Sequence, residues 1–118
     1  MIAVLVVLCG GFGSCARFLV DSAVQSRWRS EFPLGTLVVN LGGCFALGLL
    51  VGLHASDRVT LLVGTATLGS YTTFSTWMLE THRPAEDGEA TLAWRNLLGS
   101  LAAGLAFAAL GHAVGRWL

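Results

Sequence analysis

The sequence predicts an all-α membrane protein with four transmembrane helices, and three observations carry that prediction. The chain of 118 residues is 54% hydrophobic and 12% charged, with a mean hydropathy of +0.70. An ordinary soluble domain is roughly one-quarter charged, so this chain has about half the usual solvating charge. The charge is also unevenly spread: Met1–Ala16, Phe32–Ser56, Val59–Leu79 and Asn96–Gly115 contain no Asp, Glu, Lys or Arg. Finally, Leu97–Leu110 is Leu, Ala, Gly, Ser and Phe on every side, whereas a helix of a soluble bundle needs a charged outer face. Seven basic residues, all Arg, balance seven acidic ones to a net charge of +0. That balance excludes a strongly basic nucleic-acid binder, and the hydrophobicity excludes a disordered tail. The reading is one domain over residues 1–118.

A helix rising about 1.5 Å per residue crosses the hydrocarbon core in about 20 mostly apolar residues. Helix one is predicted over about 2–20, because the first run reaches that length only by taking in Arg17. A signal peptide explains it poorly: no basic segment precedes it, and a further helix-length run follows. Residues 21–33 form a connection with Arg27, Trp28, Arg29 and Glu31 that ends at Pro33. Helix two is predicted over about 34–53. His54-Ala55-Ser56-Asp57-Arg58 has room only for a tight turn, which makes helices two and three antiparallel neighbours. Helix three covers about 59–79. Residues 80–95, with Pro84 and Glu86-Asp87-Gly88-Glu89, read as a solvated connection before helix four at about 96–115. None of these connections holds an extramembrane catalytic domain. Loops one and three hold Arg27, Arg29, Arg83 and Arg95 against Arg58 and Arg116 on the other side, Arg17 set aside. The positive-inside rule reads such a difference as orientation. A bias of two leaves two alternatives, both termini outward or insertion both ways.

Several residues are ones that a lipid-facing helix would not choose. Gly recurs at four-residue spacing in Gly48/Gly52 and Gly111/Gly115, with Gly99/Ala103 on helix four. Small residues so spaced let helix backbones approach closely. Packing within one bundle accounts for most of them, and the surplus suggests an oligomer. Asn40 lies one turn after Thr36, so both face one way. An amide without a partner is costly to bury, which turns Asn40 toward protein or water as an interhelical bond or a ligand. The segment Gly64–Trp77 is dominated by Gly, Ser and Thr in the middle of a span. Gly weakens a helix, and Ser and Thr can satisfy the backbone groups that a break frees. Helix three is therefore expected to be broken near its middle, as in ion sites built from exposed carbonyls and half-helix ends; the alternative is an intact helix whose hydroxyls bond back one turn. Phe74, Trp77 and Glu80 follow at three-residue steps as one stripe that ends in an acidic mouth. Asn96 and Ser100 form a second polar stripe on helix four. Cys9, Cys15 and Cys44 lack CxxC spacing and read as core thiols. His54, His82 and His112 are scattered near helix ends. Gly10-Gly11-Phe12-Gly13 lacks the Lys of a phosphate loop, and no nucleophile–base pair is present, so the chain does not read as an enzyme.

Three segments together resemble the small Fluc (CrcB-type) fluoride channels of microbial membranes. They are Gly10-Gly11-x-Gly13-x-x-x-Arg17, Gly35-Thr36-Leu37-x-Val39-Asn40-x-x-Gly43, and Gly69-x-x-Thr72-Thr73-Phe74-Ser75-Thr76. The resemblance covers nearly the whole chain and rests above all on the last two segments in combination. It implies an antiparallel dual-topology dimer with two pores, each built from both subunits, which exports cytoplasmic fluoride passively across the cell membrane and so lowers its toxicity. Asn40 then matches the pore-lining Asn, and Phe74 the first of two Phe whose ring edges meet the anion. Ser75, Thr76 and Ser100 match pore-side hydroxyls. Backbone carbonyls of Gly69 and Thr72 from both subunits match the ligands of a central structural sodium ion. Glu80 matches the acidic residue at the pore mouth, where Arg17 and Asn96 are also expected, Arg17 either snorkelling or adding positive potential at a vestibule.

Two positions depart from the family pattern. Trp77 stands where the second Phe is usual, and its edge either serves the anion or obstructs the route. Gly104 stands where another hydroxyl is common. Some family members pair as obligatory heterodimers, which leaves both a homodimer and a paired subunit open. The physics suits the implied function. Fluoride is small and strongly hydrated, so its water must be replaced by neutral donors that bind it without trapping it. A small multidrug transporter, the nearest rival of similar size, needs a carboxylate deep in the membrane; before Asp21 the only charged side chain here is Arg17.

Overall fold

The computed structural model describes all residues 1–118, and every regular element in it is a helix. Helix α1 spans Ile2–Arg27 and α2 spans Leu34–Gly52. The third span is two helices: α3 over residues 57–71, and α4 at Phe74–Glu86. Helix α5 covers Ala90–Trp117. α1, α2 and α5 are each long and apolar enough to cross a membrane, with mean hydropathies of 2.0, 2.0 and 1.8.

The helices outrun the charge-free runs because charged residues continue a helix readily once it has left the hydrocarbon. α1 runs on through Asp21 to Arg27, where only Trp28–Pro33 is left to connect it to α2. The acidic connection contracts in the same way. α4 continues past Leu79 to Glu86 even with Pro84 inside it, and α5 begins at Ala90, so the solvated connection expected over 80–95 is a turn at Asp87–Glu89. Gly88 supplies the positive φ, +81°, that this turn requires. His54, at φ 53°, ends the tight turn after α2.

Glycine sets the closest packing. α2 and α5 lie against each other along their length, and the four seam residues are Gly48, Gly52, Gly111 and Gly115. A Cβ at Gly48 would overlap the Ala108 carbonyl, and one at Gly111 the Phe45 carbonyl. The pairs expected from spacing therefore pack within the subunit. Gly99 has nothing within 4 Å of a built Cβ and is exposed, while Ala103 is half-buried. α1 approaches α3 in a similar way, with Gly13 against Thr67 and Ser70.

Only 15 of 118 residues are buried, and large apolar side chains such as Phe12, Leu105 and Phe74 are exposed. A water-soluble domain does not tolerate so much open apolar surface. Lipid supplies the solvent for it, and the chain is a multi-pass membrane protein.

Candidate functional site

The site is organised by the interruption of the third span. From Thr60 to Leu68 the helix is wound in wide π turns, and the Thr67 hydroxyl donates five residues back to the Leu62 carbonyl at 2.8 Å. Ser70 and Thr72 donate one turn back to Ala66 and Leu68 at 2.7 and 3.0 Å. This is the back-bonding of the intact-helix alternative, but the helix itself stops at Tyr71. Thr72 (φ −76°, ψ 160°) and Thr73 (φ −144°, ψ 123°) are extended. The helix is therefore broken, as its Gly, Ser and Thr content predicts, at Thr72–Thr73.

Asn40 holds the break open. Its Nδ2 donates to the Thr73 carbonyl at 2.9 Å, and its Oδ1 accepts from the Thr73 amide at 2.9 Å. In a continuous helix the Thr73 amide would have bonded to the Gly69 carbonyl; the side chain of Asn40 takes that amide instead. Gly43, one turn along α2, gives the room, since a Cβ there would overlap Thr72 Cγ2. Asn40 is thus an interhelical hydrogen-bonding residue, and its second Nδ2 hydrogen remains for another acceptor.

Thr73 then caps α4. Its Oγ1 accepts from the Thr76 amide at 3.2 Å and bonds the Thr76 hydroxyl at 3.0 Å, with Ser75 Oγ at 3.4 Å. Sequence reasoning missed Thr73, although a Thr three residues before Thr76 at a helix start is a recognisable cap signal. The cap leaves the Phe74 and Ser75 amides in the first turn of α4, where no intrahelical acceptor exists and the helix dipole is positive.

Six of the residues expected at the pore or the sodium site line one groove of about 350 Å³: Asn40, Gly69, Thr72, Phe74, Trp77 and Ser100. Phe74 is 69% exposed and meets Trp77 edge to face, with ring centroids 5.6 Å apart and planes at 81°. Ser75 and Thr76 lie beside the groove, in the capping cluster. Asn96, expected at the mouth, is 1% exposed and sealed between α4 and α5. The Arg17 guanidinium donates to the Thr72 carbonyl at 3.3 Å, which ties α1 to the break. Its charge is turned inward onto a backbone dipole freed by the interruption.

Glu80 lies just past the third charge-free run, half-buried near Thr36, Asp21 and Arg83. Burial pushes its carboxyl above the ordinary carboxylate range. Thr36 opposes that shift, Asp21 adds to it and Arg83 opposes it. Thr36 Oγ1 and Glu80 Oε2 are both buried without a hydrogen-bond partner, so the opposition from Thr36 is weak beside the burial. A carboxyl raised in the fold contributes most to stability below its unfolded value, and that contribution is lost as pH rises through the folded one. Glu80→Gln is therefore expected to flatten the fall in detergent-solubilised thermal stability as pH rises above about 4.5. An equally steep fall in the variant would assign the pH dependence to other groups.

Residues 4–112 match the family described as "CrcB-like protein, Camphor Resistance (CrcB)". A relative from Mycolicibacterium paratuberculosis named fluoride-specific ion channel FluC 2 is 52% identical over 107 residues, 91% of this chain and 88% of its own. A FluC 1 from Rubrobacter xylanophilus is 46% identical, over 96% of this chain and 92% of its own. A fluoride-specific ion channel FluC from Solibacter usitatus is 41% identical, over 95% and 96%.

Proposed function

The chain belongs to the CrcB-like family, and on that premise we propose that it is a channel subunit, not an enzyme, through which cytoplasmic fluoride leaves the cell passively. The observation that carries this reading is the groove, in which neutral groups converge on a capped helix break. It contains the spare Asn40 amide hydrogen, the exposed Phe74 ring and the Ser100 hydroxyl, with the first-turn amides of α4 beside it. Each offers partial positive charge to an anion, and no formal cation lines the groove. Such a set replaces hydration water yet lets the ion go, as conduction requires.

The groove is open on one side, and most of the Phe74 ring faces outward. In the proposed assembly two oppositely inserted copies close their grooves against each other, so that each pore takes residues from both. Ser75 and Thr76 contribute hydroxyls, and Glu80 and Arg83 give the mouth its charge. A structural sodium ion at the dimer centre would be held by the carbonyls of Gly69 and Thr72. The Gly69 carbonyl suits it, having lost the Thr73 amide to Asn40 and lying exposed. The Thr72 carbonyl suits it less well, because the Arg17 guanidinium already donates to it. The ion would supply fixed positive charge between the two breaks.

A paired-subunit reading stands beside the homodimer, because Trp77 replaces an aromatic of the family pattern and the relatives bear the numbered names FluC 1 and FluC 2. Reconstitution of this polypeptide alone separates the two. Rapid, voltage-responsive fluoride release with negligible chloride release supports the homodimeric channel; silence that ends on adding a second family member supports the pair. In whichever assembly conducts, Phe74→Ile is expected to abolish release while the dimer persists on size exclusion, because an aliphatic branch has no polarised ring edge. Unchanged release would remove Phe74 from the route.

A further inference from the structure

The indole of Trp77 lines the groove, yet its N–H does not serve it. Trp77 Nε1 donates to the backbone carbonyl of Asn96 at 3.2 Å. Residues 95–99 of α5 are wound in a π turn, and the Ser100 amide also reaches the Asn96 carbonyl, so one carbonyl oxygen accepts from two helices. The Asn96 side chain ties the same junction from the other direction. Its Nδ2 donates to Thr81 Oγ1 at 2.8 Å and approaches the Trp77 carbonyl at 3.5 Å, while its Oδ1 accepts from Ser100 Oγ at 3.1 Å. Thr81 Oγ1 in turn donates to the Trp77 carbonyl at 2.8 Å. Every polar atom of the Asn96 side chain is engaged, and the residue is 1% exposed.

We propose that Asn96 is a positioning residue for the anion route, fixing Trp77 so that its N–H points into the protein and only ring carbon and C–H surface borders the groove. This rests on the channel reading and deepens it. A free indole N–H would add one more fixed, directional donor to those of Asn40, Ser100 and the first turn of α4, and each added donor deepens the site that the ion must leave. Anchored to the Asn96 carbonyl, Trp77 presents a border like that of Phe, set edge-on to Phe74. Asn96 also holds the Ser100 hydroxyl proton, so Ser100 donates to a passing ion only by exchanging that bond. A polar residue expected at the mouth thus acts from behind the wall.

The test is a double-mutant cycle on the full chain in proteoliposomes, with fluoride efflux as the readout. Asn96→Leu keeps the volume and removes the side-chain hydrogen bonds to Thr81, Trp77 and Ser100; the backbone carbonyl that accepts from Trp77 Nε1 remains but is no longer held in place against α4. The substitution is expected to cut efflux about tenfold with Trp77 present but less than about threefold in the Trp77→Phe background, which has no N–H to anchor. Trp77→Phe alone sets the reference rate against which the second loss is read. Equal losses in both backgrounds would overturn the proposal, since Asn96 would then act without Trp77. If Asn96→Leu does not fold, Thr81→Val, which removes the acceptor of Asn96 Nδ2, takes its place in the cycle. The indole N–H resonance of Trp77, identified by its disappearance in Trp77→Phe, gives a readout independent of conduction. It should exchange slowly in the parent chain and lose that protection in Asn96→Leu; unaltered protection overturns the proposal. A parent chain that fails to conduct counts against the channel reading, and the resonance still decides the role of Asn96.

Discussion

Asn40→Asp is expected to reduce fluoride efflux to the rate of protein-free liposomes. Two effects of the same sign combine. The Asn40 amide currently donates to the Thr73 carbonyl and accepts from the Thr73 amide, both at 2.9 Å. A carboxylate keeps the acceptor half and places a second oxygen against the carbonyl, which loses its donor. Leaving a buried polar group unsatisfied costs about 1–3 kcal/mol, so the break between α3 and α4 loosens and with it the Thr73 cap. The new charge also lies on the groove wall. Two like unit charges about 4 Å apart repel by about 4 kcal/mol at an effective dielectric near 20, roughly a thousandfold in occupancy by an anion. Asn40→Ala, which removes the bonds without adding charge, is expected to fall between the two. Efflux by fluoride electrode on dimers purified by size exclusion checks both. If Asn40→Asp conducts within about tenfold of the parent chain, the amide does not border the route.

Gly111→Val has the largest expected effect on the fold. Gly111 lies where α2 and α5 touch backbone to backbone, and an added Cβ would overlap the Phe45 carbonyl and crowd the Leu49 amide. Neither neighbour is a flexible side chain that can swing aside, so the helices must separate. Overpacking of an ordinary core costs about 1–3 kcal/mol. Here separation also undoes the contacts around Gly48, Gly52 and Gly115 on the same seam, and lipid offers no hydrophobic force to draw the helices back. The expected outcome is loss of monodisperse protein after extraction, or a large drop in its unfolding temperature. Gly99→Val is the control: it puts the same residue on the same helix, where nothing lies within 4 Å. Equal yields for the two variants would show that the seam tolerates separation.

Much of the architecture is legible in the sequence because the membrane imposes a length and forbids charge. The charge-free runs locate the spans, and the helices exceed them only where charged residues leave the hydrocarbon, as at Asp21–Arg27 and Glu80–Glu86. The weakness of the third span is likewise legible in its Gly, Ser and Thr content. The position of the break at Thr72–Thr73 is not, because it depends on which amide Asn40 captures from another helix. Arg17 illustrates the same limit. Its location near a helix end fits snorkelling or a vestibule equally, and only the orphaned Thr72 carbonyl decides where the guanidinium goes. The four-residue spacing of Asn96 and Ser100 gives a shared polar face but not what covers that face, and the structure seals Asn96 between α4 and α5.

By itself, the sequence determined the solvent, the places of the helices, the breakable one among them and the identity of the polar residues gathered around it, since these follow from local composition and from the cost of burying charge in hydrocarbon. The tertiary structure alone decided which glycines pack within the subunit, which hydroxyls cap or bond back, and which polar groups are spent on protein rather than left for an ion. Those outcomes depend on hydrogen bonds and backbone approaches between residues far apart in the chain, such as Asn40 with Thr73, Trp77 with Asn96 and Gly111 with Phe45. A directional bond is set by the relative position of two helices, and no single helix carries that information.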